Sequence, residues 1–292
     1  MAIDNLGAST TSASVSILVN ALGLTITSPN EGATIAGDHV TVNGRFLAPL
    51  HSGISVNGVV ATLVDGDFYA YDVPIATETQ TLTATLTTLN GQTVSQSISV
   101  TGAPAPGVLI HAEPQSGLSP LKVDFSITNN TSSPVQKVEV DWDGNGTIDF
   151  TASADFSLTY STPWTYRTAV KVTLEDCSVF TQSLPIVVQD PDQVDQIFQS
   201  LWSGMNSALI AGDKMTALNY LSPPTRAKYG PVFDTLAPDL PQIFASCSIP
   251  RSAVISPEMG EYVINRTIDG VNQVFFIYFL RGEDGVWRLD SM

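Results

Sequence analysis

The residues best suited to chemistry form the run Asp141-x-Asp143-x-Asn145-Gly146-Thr147-x-Asp149. Oxygen-bearing side chains stand at its first, third, fifth and ninth positions, with glycine at the sixth. A hard divalent cation takes about six to eight oxygens, and a tightly turned backbone can supply them. Gly146 permits the bend, and Thr147 can offer its backbone carbonyl. Calcium is the one cofactor this spacing suggests, with Asp141, Asp143, Asn145, Thr147 and Asp149 as candidate ligands. The twelfth position, where a bidentate glutamate completes a strong loop of this kind, is Ala152. Asn145-Gly146 is equally a favoured hairpin turn. On that reading Asp141 and Asp143 are polar positions alternating with Val140 and Trp142.

Two aromatic groups are the other candidates. Tyr69 and Tyr71 alternate with Phe68 and Ala70. If Phe68 faces a core, both tyrosines fall on the outer face, where paired rings stack on sugars; a plain solvent-facing strand also explains them. Tyr262, Ile264, Phe276, Tyr278 and Trp287 are candidates to line a pocket, with Glu261 as a lone carboxylate base, although aromatics at alternate strand positions also make cores. His39, His51 and His111 have no HxxxH or HExxH spacing and read as surface histidines. No Gly-x-Ser-x-Gly elbow or phosphate loop occurs, and Asp234-Thr235 lacks the glycine of an aspartic protease motif. The expectation is a chain that is not an enzyme.

The elements that would position these residues follow from periodicity. Residues 1–22 read as one hairpin, with Ala13, Val15 and Ile17 alternating with serines; it resembles the last hairpin of a bacterial Ig-like domain, which implies a truncated preceding domain of that kind. Residues 23–104 hold many short alternating strands and the hairpin signal Asn90-Gly91, which predicts a β-sandwich. The proline-bearing stretch Ala103–Gly107 leads to a second sandwich over 107–190. From Asp190-Pro191 the period changes. Asp190 caps a helix, Pro191 takes its first position, and Gln193 completes a capping box. Val194, Ile197, Phe198, Leu201, Met205, Ala208 and Leu209 share one helical face, and Gly212 stops it. A short helix near 214–221 follows, then prolines that break the chain into short pieces, then strands from about 253 to 290. The fold class is multi-domain: tandem all-β Ig-like sandwiches, then an α+β domain over 191–292.

Three resemblances refine this reading. Ile26-Thr27-Ser28-Pro29 with Gly32, Val42-Asn43-Gly44, Val56-Asn57-Gly58, Gly66-Asp67-Phe68 and Asn90-Gly91 resemble the bacterial Ig-like module of the glucodextranase accessory-domain type, which implies a non-catalytic accessory unit. Ser119-Pro120-Leu121-Lys122-Val123-Asp124-Phe125, Trp142-Asp143 with Gly146, and Tyr160, Pro163, Thr165 and Tyr166 resemble a polycystic-kidney-disease (PKD) repeat, with Trp164 in place of its usual glycine. Helices before a sheet, Ala211-Gly212-Asp213 after the first helix, and the terminal Gly-x-Trp-x-Leu strand resemble the cystatin-like α+β roll shared with nuclear transport factor two.

Composition bounds the partners. The net charge is −16, and Arg45 is the only basic residue before 107. Such a surface repels nucleic acid and anionic membranes. The longest apolar run, Val274 to Leu280, is too short to span a membrane as a helix, which needs about 20 residues. Met1 runs straight into a polar stretch, so the expectation is a piece of a longer secreted or surface-displayed bacterial protein whose export signal lies elsewhere. Cys177 and Cys247 are expected not to pair. The modules read as monomeric, largely independent units with small interfaces, acting as spacers or adhesive units toward a protein or polysaccharide surface partner. Two alternatives stand beside this one: a carbohydrate-binding accessory region using Tyr69 and Tyr71, and a small-ligand-binding C-terminal roll.

Overall fold

The computed structural model describes residues 2–3, 9–10, 22–268 and 270–292. β1 (Ala2–Ile3) pairs antiparallel with β2 (Ser9–Thr10); the alternating strand expected over 12–19 lies outside the described residues. In the first sandwich the strands are β3 (Gly23–Ser28), β4 (Ala33–Ala36), β5 (His39–Leu47), β6 (Gly53–Val56), β7 (Val59–Val60), β8 (Thr62–Val64), β9 (Asp67–Pro74), β10 (Thr79–Thr87) and β11 (Thr93–Ala103). One sheet runs β3-β5-β9-β8 and the other β4-β11-β10-β6-β7. Alternation sends Val42, Phe68, Leu82 and Leu86 inward, where each is fully buried. Burying such a side chain contributes about 1.5–3 kcal/mol. Asn90-Gly91 lies in a loop closed by Thr88 and Gln92, between the paired ends Thr87 and Thr93.

The second sandwich follows the same logic. Its strands are β12 (Val108–Glu113), β13 (Ser116–Leu118), β14 (Leu121–Asn129), β15 (Val135–Asp141), β16 (Phe150–Ala152), β17 (Phe156–Tyr160), β18 (Trp164–Leu174) and β19 (Val179–Gln189). They form the sheets β12-β14-β17 and β13-β19-β18-β15-β16. Trp142 packs at 5.9 Å from the Tyr160 ring and 5.4 Å from the Tyr166 ring. Thr168 ties this cluster down. Its Oγ1 donates to the Trp142 carbonyl at 2.9 Å and lies 2.6 Å from the Tyr160 hydroxyl. Trp164 points away from the core and is 68% exposed. Cys177 is exposed in the turn before β19.

The helical part begins where expected. α1 (Pro191–Ile210) is capped by Asp190, whose side chain accepts from the Asp192 N–H at 2.9 Å. Gln193 makes no capping-box bond; it lines a cavity instead. Trp202 joins the buried helical face, and Ile197 leaves it. α2 (Lys214–Asn219), α3 (Pro223–Thr235) and α4 (Leu240–Ala245) follow. Pro231 sits inside α3 rather than ending it. β20 (Arg251–Ile255), β21 (Met259–Ile268), β22 (Val271–Arg281) and β23 (Trp287–Ser291) form one antiparallel meander in that order. α1 lies on its inner face. Phe198 stacks on Phe279 at 5.2 Å, and Asp195 accepts from the Tyr262 hydroxyl at 2.5 Å.

The modules also touch beyond their short junctions. Val187 is fully buried although its neighbours Ile186 and Val188 already fill the second core, so β19 is covered on both faces at Val187, near its C-terminal end, while the outward Val179, Thr181 and Ser183 stay exposed. Its outward face meets the first sandwich, where Thr62 Oγ1 lies 3.0 Å from Ser116 Oγ. The helical part also docks on the first sandwich. Arg281 Nη2 donates to the Ala61 carbonyl, and His51 Nε2 lies 3.3 Å from Ser200 Oγ. Gly53 and Gly285 meet backbone to backbone; a Cβ on Gly53 would overlap the Gly285 carbonyl carbon. Leu89 and Leu118, from the two sandwiches, pack against the helical core.

Candidate functional site

The acidic loop connects β15 to β16, and the structure brings its residues together. Carboxylate oxygens of Asp141, Asp143 and Asp149 lie within 4.8 Å of one another. Asp141 is buried at the end of β15. Its Oδ1 accepts from Gly144 N at 2.8 Å and Asn145 N at 3.1 Å, and its Oδ2 from Gly146 N at 2.7 Å. Burial alone would raise this carboxyl; the three N–H donors outweigh it and hold it below the ordinary carboxylate value. Gly146 has φ +89°, a conformation open to glycine at little cost. Asp149 Oδ2 accepts from Trp142 N at 2.9 Å, and Asn145 Oδ1 accepts from Thr147 N at 2.8 Å. Asp143 and Asp149 are exposed, and each keeps lone pairs free for a cation. Ala152 is paired with Val138 in the β-ladder, so no twelfth-position acid reaches the loop. The donor set fits a weakly held hard cation.

Tyr69 and Tyr71 do lie on the face opposite Phe68, as their alternation requires, and their rings stack at 6.3 Å. They do not form an open platform. Tyr69 is only 6% exposed, and the Tyr71 hydroxyl is buried without a hydrogen-bond partner. Burial pushes both phenols up. The second sandwich covers this face: Thr165 approaches Tyr69, and the Val187 backbone approaches Tyr71. The pair is interface rather than sugar-stacking surface.

The expected C-terminal pocket is not assembled either. Tyr262 and Ile264 point inward with Ile277 and Phe279 and belong to the core. Period two then sends Phe276 and Tyr278 to the opposite face, and Phe276 is 51% exposed. Glu261 pairs with Tyr278 and shares that outer face. Trp287 of this set lines a cavity at the junction with the first sandwich. Arg281 and His51 line it too, and sequence reasoning missed both. Arg281 closes the apolar run of β22 and so had one local signal; His51 had none.

No protein-family model matches the chain, and no curated protein matches it. Among solved structures, the fibronectin(III)-like modules of CbhA from Clostridium thermocellum share 13% identity, over 58% of this chain and 96% of theirs, at TM-score 0.24. CopC from Methylosinus trichosporium OB3b shares 17% identity, over 30% of this chain and 97% of its own, at TM-score 0.23. Latent PorU from Porphyromonas gingivalis shares 11%, over 58% and 20%, at TM-score 0.32. Likeness at these scores carries no argument. The chain's own strand order defines its class, a mostly β protein of Ig-like sandwiches. No helix among the described residues is long and apolar enough to cross a membrane.

Proposed function

We propose that this chain is a non-catalytic structural or interaction protein of the bacterial cell exterior, built as a braced block rather than a stalk. Residues 23–104 are taken as the glucodextranase-type Ig-like module, 107–190 as the PKD-like module and 191–292 as the cystatin-like roll. The observation that carries the reading is the burial of Val187 on the outward face of β19, with the Tyr69 and Tyr71 face set against that end of the strand. A sheet face used in this way fixes one module on the next. The block then presents its remaining surfaces in constant relative positions to a protein or polysaccharide partner. Protease added to intact source cells should degrade the protein while a cytosolic marker survives. Complete protection would overturn the exterior assignment.

The loop of Asp141, Asp143, Asn145, Thr147 and Asp149 supports a second element of this reading, weak calcium binding. Three carboxylates this close repel one another, and a divalent cation relieves that repulsion. Without a twelfth-position acid the affinity belongs in the extracellular range, about 10⁻⁴–10⁻³ M. Calcium binding only the folded loop raises the melting temperature by mass action, and magnesium does so less. Equal melting temperatures in millimolar calcium and in chelator would remove the metal and leave a hydrogen-bonded turn.

A further inference from the structure

A cavity of about 450 Å³ lies where the first sandwich, α1 and the β22–β23 turn meet. Small-molecule sites occupy about 300–1,000 Å³ and combine apolar walls with a few polar groups. Here Phe46, Leu50, Leu63, Leu118, Ile197 and Trp287 form the apolar wall. Arg281 and His51 also line it, and no aspartate or glutamate among the described residues does; Asp65, Asp67 and Asp190 line the adjoining cavity, on the far side of the shared Phe46, Leu63 and Ile197.

Arg281 makes no ion pair among the described residues. Its Nε donates to the Gly285 carbonyl at 3.2 Å and its Nη2 to the Ala61 carbonyl. The guanidinium lies 5.8 Å from the Trp287 ring centre. Nη1 has no protein acceptor among the described residues, which leaves its two N–H groups free. Burial pulls this group down to about 10, so it stays charged at neutral pH. Backbone carbonyls satisfy two of its nitrogens but supply no counter-charge, and a partly buried charge without one gains from an anion at its open nitrogen. His51 stands in the same wall, half-buried, and burial lowers its pKa toward the neutral form.

We propose that the junction cavity binds a small organic monocarboxylate with an apolar body. The carboxylate accepts from Arg281 Nη1, and the body lies against Phe46, Leu50 and Trp287. The site holds one permanent positive charge, which suits a monoanion rather than a phosphate dianion. The net charge of −16 repels anions at long range, but salt screens exposed charges beyond about 8 Å. At the site the unpaired Arg281 cation, in direct reach of the ligand, decides.

The test uses 4-phenylbutyrate and its neutral amide, 4-phenylbutanamide, titrated into the full chain by calorimetry and ligand-observed NMR. The acid should bind at least about tenfold more tightly than the amide, because a charge-assisted hydrogen bond exceeds a neutral one. Arg281→Gln should erase that difference. Arg281 also bridges two modules, so a second variant guards against misfolding. Leu50 is 81% exposed at the cavity mouth, and Leu50→Asp leaves the cores intact. It should weaken the acid by about tenfold and the amide much less. Equal binding of acid and amide, no binding of either at about 10 mM, or an unaffected Leu50→Asp variant would overturn the proposal.

Discussion

Asp141 concentrates three backbone N–H groups on one buried carboxylate, so its removal should cost far more than removal of its neighbours. Asp141→Ala leaves those donors without their acceptor and should destabilise by about 1–3 kcal/mol, whereas exposed Asp143→Ala should stay within about 0.5 kcal/mol. Scanning calorimetry in chelator separates the two. His51 carries the second prediction at this scale. Its pKa is lowered by burial from 6.5, so the unfolded chain binds the proton more readily. The stability this neutral side chain contributes is present above pH 6.5 and lost as pH falls through its folded value. His51 has φ +63°, which asparagine also tolerates, so His51→Asn is a fair comparison. The wild type should lose more melting temperature than this variant between about pH 7 and 5; parallel curves would contradict the burial of His51. The acidic loop was legible because its residues lie within nine positions of one another. His51 was not, because Ser200, Arg281 and Trp287, which close the wall begun by its own neighbours, come from remote sequence.

β9 shows what strand periodicity can and cannot say. Alternation placed Phe68 and Ala70 on one face and Tyr69 and Tyr71 on the other, and the structure agrees. It could not say that β19 covers the second face. The one hint was the run Ile186-Val187-Val188, apolar on both faces of a strand that a lone sandwich would bury on one. Periodicity also set the inward residues of β21 and β22, yet a pocket list that mixed Tyr262 with Phe276 crossed that period. Two variants test the packed elements. Tyr71→Phe removes a buried hydroxyl with no partner and should be neutral or stabilising by up to about 1 kcal/mol. Gly53→Ala sets a methyl group against the backbone of Gly285 and Val286 and should cost about 1–3 kcal/mol through overpacking. The same variant should make the Ala103–Gly107 and Asp190–Pro191 junctions easier to cleave. Unchanged stability and cleavage would mean that the first sandwich and the β22–β23 turn are not in contact.

The whole-molecule arrangement was the least legible level. Strands, the α1 cap and the change of period at Asp190 are written locally, within a few residues of each feature. The contacts that brace the block join Ala61 to Arg281, Thr62 to Ser116 and Gly53 to Gly285, and no local pattern announces such pairs. Short proline-bearing junctions suggested beads on a string; the same shortness also lets adjacent modules fold back and touch. Small-angle X-ray scattering of the chain in dilute solution tests the braced block most directly. A compact chain of 292 residues has a radius of gyration of about 19 Å. Three modules of about 13 Å each, spaced end to end by the ~36 Å length of an eleven-residue strand such as β18 or β19, would give roughly 32 Å. The account predicts a value near the compact limit, unchanged between low and moderate salt. A value of about 30 Å or more would contradict it and restore the stalk.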